Sequence, residues 1–243
     1  PGREATMMRA LHARPQGKIP PGLITSMWRD MISCSTLQEA GNFKVGVHVP
    51  KKGPDLWDLA RDHYGPYTPL VEFTSAKDII KALQNKKISV GIVPPPEQDE
   101  KDCWWALLDS GKKNPLTVFQ SMPFEKPKAG KWNGRNALKE GYIIGQLYPE
   151  LTGDDRSLLA FKCDHVPEAE MKRLLGKAGY KVRKLIEKST GRSSAASYFA
   201  EVDGFVGRND TRLGRIKAML GSRLKQLTPL GGYPLPLKNG RRS

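Results

Sequence analysis

The side chains of this sequence that could do chemistry are unevenly distributed, and the largest set is cationic. Arg208, Arg212 and Arg215 follow one another at steps of four and three residues, with Lys217 two further on. Arg223 and Lys225 stand two apart, and Arg241–Arg242 extend the run. On a helix, steps of four and three place the first three arginines on one stripe; on a strand, a step of two returns the second pair to one face. Such a surface neutralises phosphates, and with no base-reading motif beside it, its contacts with RNA would be to the backbone. From Arg208 to Ser243 there are nine Lys or Arg and one Asp, a net of +8 within a total of +15. That balance points either to a polyanionic partner, most often nucleic acid, or to a solvated basic face. Lys51–Lys52, Lys86–Lys87 and Lys112–Lys113 add paired cations in loop-like sequence.

Metal and nucleophile chemistry finds less support. His12, His48, His63 and His165 include no pair at metal-ligand spacing, so no metal site is expected, and no motif calls for a cofactor. Thr74, Thr117 and Thr152 are isolated and read as caps or strand residues. Cys163–Asp164–His165 falls at a strand end, where turn duty is the default. Trp104–Trp105 reads as an exposed stacking surface for a base or as core packing, the commoner fate of an indole. Gly231–Gly232 reads as the end of the last strand rather than as a phosphate loop.

Three widely spaced cysteines, Cys34, Cys103 and Cys163, argue against a disulfide framework and for a reducing compartment, either cytoplasm or an organellar matrix. No apolar run approaches the ~20 residues of a membrane span. The chain begins at Pro1 rather than Met, as a processed or trimmed product would. At 243 residues it is long enough for one to three small domains.

The elements that must position these side chains are clearest between Ser157 and Pro234. Ser157–Cys163 is a short apolar strand, and Glu168–Ala178 carries Ala169, Leu174, Leu175 and Ala178 at helical spacing. Lys181–Ile186 and Tyr198–Val206 alternate as strands. Asp210–Leu220 is a helix opened by Asn209–Asp210 and closed before Gly221. The final run, SRLKQLTPLGGYP, completes the order βαββαβ, a ferredoxin-like unit. Upstream, Asn42–Phe124 reads as two βα units: FKVGVHV, a helix over Pro54–Tyr64, LVEF, a helix over Ser75–Leu83 capped by Thr74 or Ser75, and ISVGIV stopped by Pro94–Pro96. Two βα units in series predict a parallel sheet. Trp104–Leu108 continues as helix and LTVFQSMPF as strand. At the N-terminus, Arg3–His12 and Leu23–Glu39 read as two helices broken at Pro15–Gly22. The second puts Ile24, Met27, Trp28, Met31 and Ser35 near one face, a helical hairpin suited to an oligomer contact.

DRSLLAFKCDHVP, SYFAEVDGF and LGGYP, in that order, resemble the ACT regulatory domain of prephenate dehydratases over about a third of the chain. In that family a His–x–Pro loop and a Glu–Ser–Arg–Pro motif hold an amino-acid effector. The resemblance implies Glu187 as the retained effector-binding position, followed here by Lys188, Ser189 and Thr190. The family's Gly–Ala–Leu loop is Glu168, Ala169 and Glu170, a bulkier and more acidic approach to the backbone, so phenylalanine is expected to bind weakly or not at all. Asn42–Phe124 resembles the first half of the dehydratase catalytic domain, a periplasmic-binding-protein-like α/β fold. Its Gly–Pro–Glu–Gly–Thr loop is Val49, Pro50, Lys51, Lys52 and Gly53 here, and its Pro–Ile–Glu–Asn–Ser is Pro94 to Gln98. Where its catalytic Thr–Arg–Phe is expected, this chain reads GYIIGQLYPE, and the second catalytic lobe contracts to about Glu125–Gly153.

PGREATMMRAL with ITSMWRDMISCSTLQE resembles the last two helices of the all-helical chorismate mutase domain. The resemblance implies Arg3, Glu4, Ser35 and Glu39 as catalytic positions, with Gln38 a register-shifted alternative to Glu39. The family's first helix, whose cations grip the substrate carboxylates, would precede Pro1. Taken together, the chain resembles the bifunctional chorismate mutase–prephenate dehydratase family in degenerate form. The architecture expected is α+β with an α/β part: an N-terminal helical hairpin over residues 1–41, a reduced periplasmic-binding-protein-like lobe over 42–153, and a ferredoxin-like, ACT-like domain with a basic tail over 154–243. The first function implied is a protein of phenylalanine biosynthesis with its catalytic motifs largely lost. The second is a non-enzymatic scaffold in a ribonucleoprotein such as an organellar ribosome, contacting RNA through Arg208, Arg212, Arg215, Lys217, Arg223, Lys225, Arg241 and Arg242. A homo-oligomer or larger assembly through the N-terminal helices and the ACT-like sheet is expected, with no membrane partner.

Overall fold

Short apolar strands and amphipathic helices assemble here around a single sheet. The computed structural model describes residues 2–14, 17, 19, 21–98, 103–108, 115–124, 140–189 and 195–236. Among these, the elements run α1 (Gly2–Ala13), α2 (Pro21–Ala40), β1 (Val45–His48), α3 (Trp57–Tyr64), β2 (Leu70–Phe73), α4 (Ala76–Gln84), β3 (Val90–Val93), a 3-10 turn (Trp104–Leu107) and β4 (Thr117–Met122). They continue β5 (Gly141–Gly145), β6 (Asp155–Asp164), α5 (Glu168–Ala178), β7 (Val182–Ser189), β8 (Ala195–Asp203), α6 (Thr211–Leu220), a second 3-10 turn (Gly221–Arg223) and β9 (Leu224–Pro234). The nine strands lie in the order β2-β1-β3-β5-β4-β9-β6-β8-β7. The fold is mixed α/β with a mostly antiparallel sheet: β1 runs parallel to β2 and β3, and the pairs around β5, β6 and β8 are antiparallel.

The C-terminal unit follows the βαββαβ order expected from its apolar spacing. Along β6, Leu159, Phe161 and Cys163 point to the face covered by Met171, Leu175 and Ala178 of α5 and Leu213, Ile216 and Leu220 of α6. Leu158 points to the other face, with Phe199, Leu230 and Tyr233. Gly179 in the left-handed conformation ends α5, its N–H bonding the carbonyls of Gly176 and Leu175. Asp210 caps α6 by accepting from the Arg212 N–H. In the N-terminal half, Ser75 rather than Thr74 caps α4, accepting from the Asp78 N–H.

Several expectations are corrected. The strand expected over Tyr198–Val206 runs Ala195–Asp203 instead: Gly204, at φ +84°, turns the chain, and Val206 leaves the sheet so that its N–H bonds Ser157 Oγ. The segment after Pro94–Pro96 makes one 3-10 turn instead of a helix, and Trp104 and Trp105 are both buried in the core. Trp104 Nε1 donates to the Pro94 carbonyl and Trp105 lies 5.8 Å from Phe199. Each indole removes roughly 200 Å² from water, worth about 5 kcal/mol, so no stacking platform for bases forms there. On α2 the residues read near one face separate: Ile24 and Trp28 are half-buried, and Ser35 is exposed. Met27 and Met31 face solvent, while Thr25 and Arg29 are buried.

Gly231–Gly232 does not end the last strand but lies inside β9. Gly231 is the partner of Val118 in the one register pair that joins β4 to β9. It has φ +111°, and a Cβ there would lie 2.1 Å from the Val118 carbonyl oxygen. The helices are tied on by Arg9 of α1, whose guanidinium donates to the carbonyls of Thr152, Asp154 and Leu235 and to Thr152 Oγ1 at 2.8–3.2 Å. No helix among the described residues is long and apolar enough to cross a membrane.

Gly231→Ala is therefore expected to cost about 3 kcal/mol or more in urea denaturation, from overpacking against backbone and a disfavoured φ. Gly214→Ala is the control. Gly214 sits in α6 with open space where a Cβ would go, so that change should leave stability unaltered or raise it by about 0.5–1 kcal/mol.

Candidate functional site

In an open α/β sheet, ligands collect outside the carboxyl ends of the parallel strands. That edge here is formed by His48 and the Val49–Gly53 loop after β1, Thr74–Ser75 after β2, and Pro94–Pro96 after β3. His48 is half-buried with Nδ1 unpartnered, and burial lowers its pKa, so its ring is neutral. Ser75 is spent on the α4 cap, and Lys51 and Lys52 project into solvent. The isolated threonines have structural partners: Thr117 Oγ1 bonds the Leu147 carbonyl, and Thr152 bonds Asp155 while accepting from Arg9. Beyond the edge, the sheet carries a buried polar group that sequence reasoning did not single out. Glu201, 6% exposed, accepts from Arg156 Nη1 at 2.8 Å and Tyr233 Oη at 2.5 Å. Burial raises the phenol pKa of Tyr233 and of neighbouring Tyr142, so both stay protonated donors. The group is a structural network in which the carboxylate is spent on two donors.

The four positions implied as mutase residues are not brought together. Arg3 is exposed on α1, and Ser35 and Glu39 are exposed on α2. Glu4 turns inward and pairs with Arg29 at 3.0 Å. Gln38, the register-shifted alternative, is also exposed. Arg29 Nη1 also lies 2.9 Å from His63 Nδ1, and its guanidinium sits over the Phe124 ring at 5.6 Å. His63 can accept from Arg29 only as the neutral imidazole. Burial first, and then the Arg29 charge, hold its pKa well below the ordinary 6.5. Arg29 and His63 were not legible as a pair, being 34 residues apart on α2 and α3.

Glu187 meets a partner that the sequence did not pair with it. Its Oε1 lies 2.7 Å from His165 Nδ1 in the loop after β6, and its carbonyl accepts from Gln98 Nε2. Glu168 pairs with Lys172, and Glu170 faces Arg223 at 3.8 Å. Both acids sit in the first turn of α5, where the helix dipole favours them. Cys163 at the end of β6 is buried, and desolvation raises its pKa to about 11, so it is no thiolate nucleophile.

The basic set divides. Arg208 precedes α6 instead of lying on it, and Arg223 sits in the following 3-10 turn instead of β9, because Asp210 caps the helix and Gly221 ends it. Arg212 is held by Asp210 at 2.6 Å and lies over the Tyr180 ring at 4.5 Å. Lys225 faces Asp164 at 3.6 Å. Arg215 donates to the Ala178 carbonyl, Arg208 lies over the Tyr148 ring at 4.0 Å, and Lys217 is exposed. Arg208, Arg215 and Lys217 have no carboxylate partner among the described residues. Arg241 and Arg242 lie outside the described residues. No group of three His, Cys, Asp or Glu side chains among the described residues could hold a metal.

No family model matches the sequence, and no curated protein matches it. Solved structures do match in fold. The prephenate dehydratase from Arthrobacter aurescens, in complex with L-Phe, superposes with a TM-score of 0.52 at 12% identity, covering 82% of this chain and 93% of that one. The prephenate dehydratase from Streptococcus mutans gives 0.51 at 14%, covering 79% and 97%. GqqA, described as a novel type of quorum quenching acylase, gives 0.51 at 17%, covering 79% and 94%. This chain has a prephenate-dehydratase-like fold.

The neutral, buried His63 makes stability depend on pH in a defined direction. The unfolded chain takes up a proton near pH 6.5 and the folded chain does not. The folded state therefore holds its full stability above that value and loses up to about 1.4 kcal/mol per unit as pH falls below it. Thermal melting should drop between roughly pH 7 and pH 5. His63→Gln should melt less steeply over that range, retaining only the smaller slope due to His48.

Proposed function

We propose that this chain is a protein related through its fold to the enzymes of phenylalanine biosynthesis and that it no longer carries out their chemistry. The observation that carries this reading is the carboxyl edge of β1, β2 and β3. Dehydration with decarboxylation needs a group that assists hydroxyl departure and cations that grip two carboxylates. At this edge the histidine is a neutral imidazole whose Nδ1 makes no hydrogen bond, the serine is a helix cap, and the lysines are solvated. Loss of the Thr–Arg–Phe motif and of the mutase constellation accords with the same reading: Glu4 is committed to Arg29, and Ser35 and Glu39 face solvent. The C-terminal unit resembles a regulatory ACT domain whose effector position, Glu187, is engaged by His165. Fold alone does not fix activity, as a neighbour described as an acylase illustrates. Incubated with prephenate, the purified chain should form phenylpyruvate no faster than buffer; turnover above that control would overturn the reading.

A second reading, a scaffold within a ribonucleoprotein such as an organellar ribosome, is favoured by one observation. Arg208, Arg215 and Lys217 lie in and just before α6 without described carboxylate partners, in a chain of net charge +15. Here RNA affinity should be indifferent to base sequence and should fall by about 0.7–0.9 log units per log unit of salt for each phosphate neutralised. Replacing all three with Ala should lower both affinity and salt slope. Unchanged binding at every salt concentration would remove this surface from consideration.

A further inference from the structure

Helix α2 is apolar on two sides, and one of them faces solvent. Leu23, Met27 and Met31, at four-residue steps, are 51%, 60% and 53% exposed, and Cys34, the next along that side, is exposed. The opposite side carries the buried Thr25 and Arg29, the half-buried Ile24, Trp28 and Ile32, and the half-buried Thr36, whose hydroxyl bonds back to the Ile32 carbonyl. The stripe is about 17 Å long at 1.5 Å per residue. An amphipathic helix normally turns its apolar side to the core. Here the inner side already carries apolar residues, with Trp28 packed against Ala5, Met8 and Phe124 beside the Arg29–Glu4–His63 contact, and a second apolar side is left outward. Methionines on such a stripe adapt to a partner's shape and suit a helix laid across them.

The surrounding charge indicates what kind of helix. The chain is strongly basic, yet the exposed charges on α2 and α3 are all acidic: Asp30, Glu39, Asp58 and Asp62. The two arginines of these helices are withdrawn. Arg29 is buried, and half-buried Arg61 donates to the carbonyls of Gly65, Pro66 and Thr68. Asp30 flanks the stripe, between Met27 and Met31 in sequence, and its carboxylate lies against Gly65, the residue after α3. The acids of α3 therefore continue its rim. Asp58 and Asp62 are four apart on α3, and Asp62 is held above the usual carboxylate range by burial and by Asp58. A second copy of this chain would bring the same acidic rim and no cationic flank on its own α2, setting like charges against each other.

We propose that the Leu23–Met27–Met31 stripe of α2, with the rim of Asp30, Asp58 and Asp62, is a docking surface for a basic amphipathic helix of another polypeptide. The partner's apolar side covers the methionines and its Lys or Arg flank meets the acids. This depends on neither functional reading above.

The test uses the full chain and a fluorescein-labelled 18-residue Leu/Lys amphipathic peptide, with the matching Leu/Glu peptide as control, read by anisotropy. The Lys peptide should bind at least tenfold more tightly than the Glu peptide. Met27→Ser with Met31→Ser should weaken it at least tenfold while circular dichroism and melting stay unchanged, because both side chains are exposed. Asp30→Asn, Asp58→Asn and Asp62→Asn together should weaken it several-fold and flatten its salt dependence. Equal binding of the two peptides, or wild-type binding by both variants, would overturn the proposal. So would a dimer in sedimentation velocity that Met27→Ser/Met31→Ser dissociates, since the stripe would then belong to a second copy.

Discussion

The whole sheet hangs on a contact that admits no side chain. At Gly231 the last strand crosses Val118 so closely that a single added carbon would enter the carbonyl oxygen of its neighbour. Only glycine tolerates both the approach and the positive φ. Through this pair, a parallel-stranded half with its βα units and a βαββαβ half become one nine-stranded sheet. Gly232 repeats the constraint on the other side, where a Cβ would lie 2.5 Å from the Arg156 carbonyl oxygen. At these two positions the strand is thus held between β4 and β6 by close backbone approach.

What surrounds this seam is apolar bulk with a small polar centre. Trp104, Trp105, Tyr142, Phe199 and Tyr233 pack across the junction, so that the segment after β3 is roofed onto the C-terminal strands as well as its own. Within that packing the Glu201 carboxylate survives burial because Arg156 and Tyr233 satisfy it. Breaking such a group by removing one partner costs far more than the pair contributes as a whole. It ties β6, β8 and β9 together, and the Tyr142 ring of β5 packs against Tyr233 from the other half; the raised phenol pKa values fit a structural duty better than proton transfer.

The N-terminal helices depend on arginine in a similar way. Arg9 fastens α1 to the loop before β6 and to the residue after β9 by donating to the carbonyls of Thr152, Asp154 and Leu235. Arg29 fastens α2 to α1 through Glu4 and to α3 through His63. On the inner side of α2 Arg29 and Thr25 sit beside the half-buried Ile24, Trp28 and Ile32, and the remaining apolar residues, Leu23, Met27 and Met31, form an exposed stripe.

Local order was legible in the sequence because it rests on local physics. Alternation in SLLAFKC, the 3.6-residue spacing of Glu168–Ala178, the Asp210 and Ser75 caps, and the Pro94–Pro96 stop each act within a few residues, and each element formed where those signals placed it. The resemblance to prephenate dehydratases drawn from short ordered motifs agrees with the fold of the solved structures this chain matches. What the sequence alone could not settle was every relation across distance. Apolar residues lie on more than one side of α2, and periodicity does not say which of them meet the core, since that depends on where α1 and α3 come to rest. The basic residues could be counted, but not that Arg212, Arg223 and Lys225 would each find a carboxylate and that Arg208 would settle on Tyr148. Two glycines could be read as a strand end, and only the tertiary packing made them the seam, because a glycine's purpose lies in how closely another backbone approaches it.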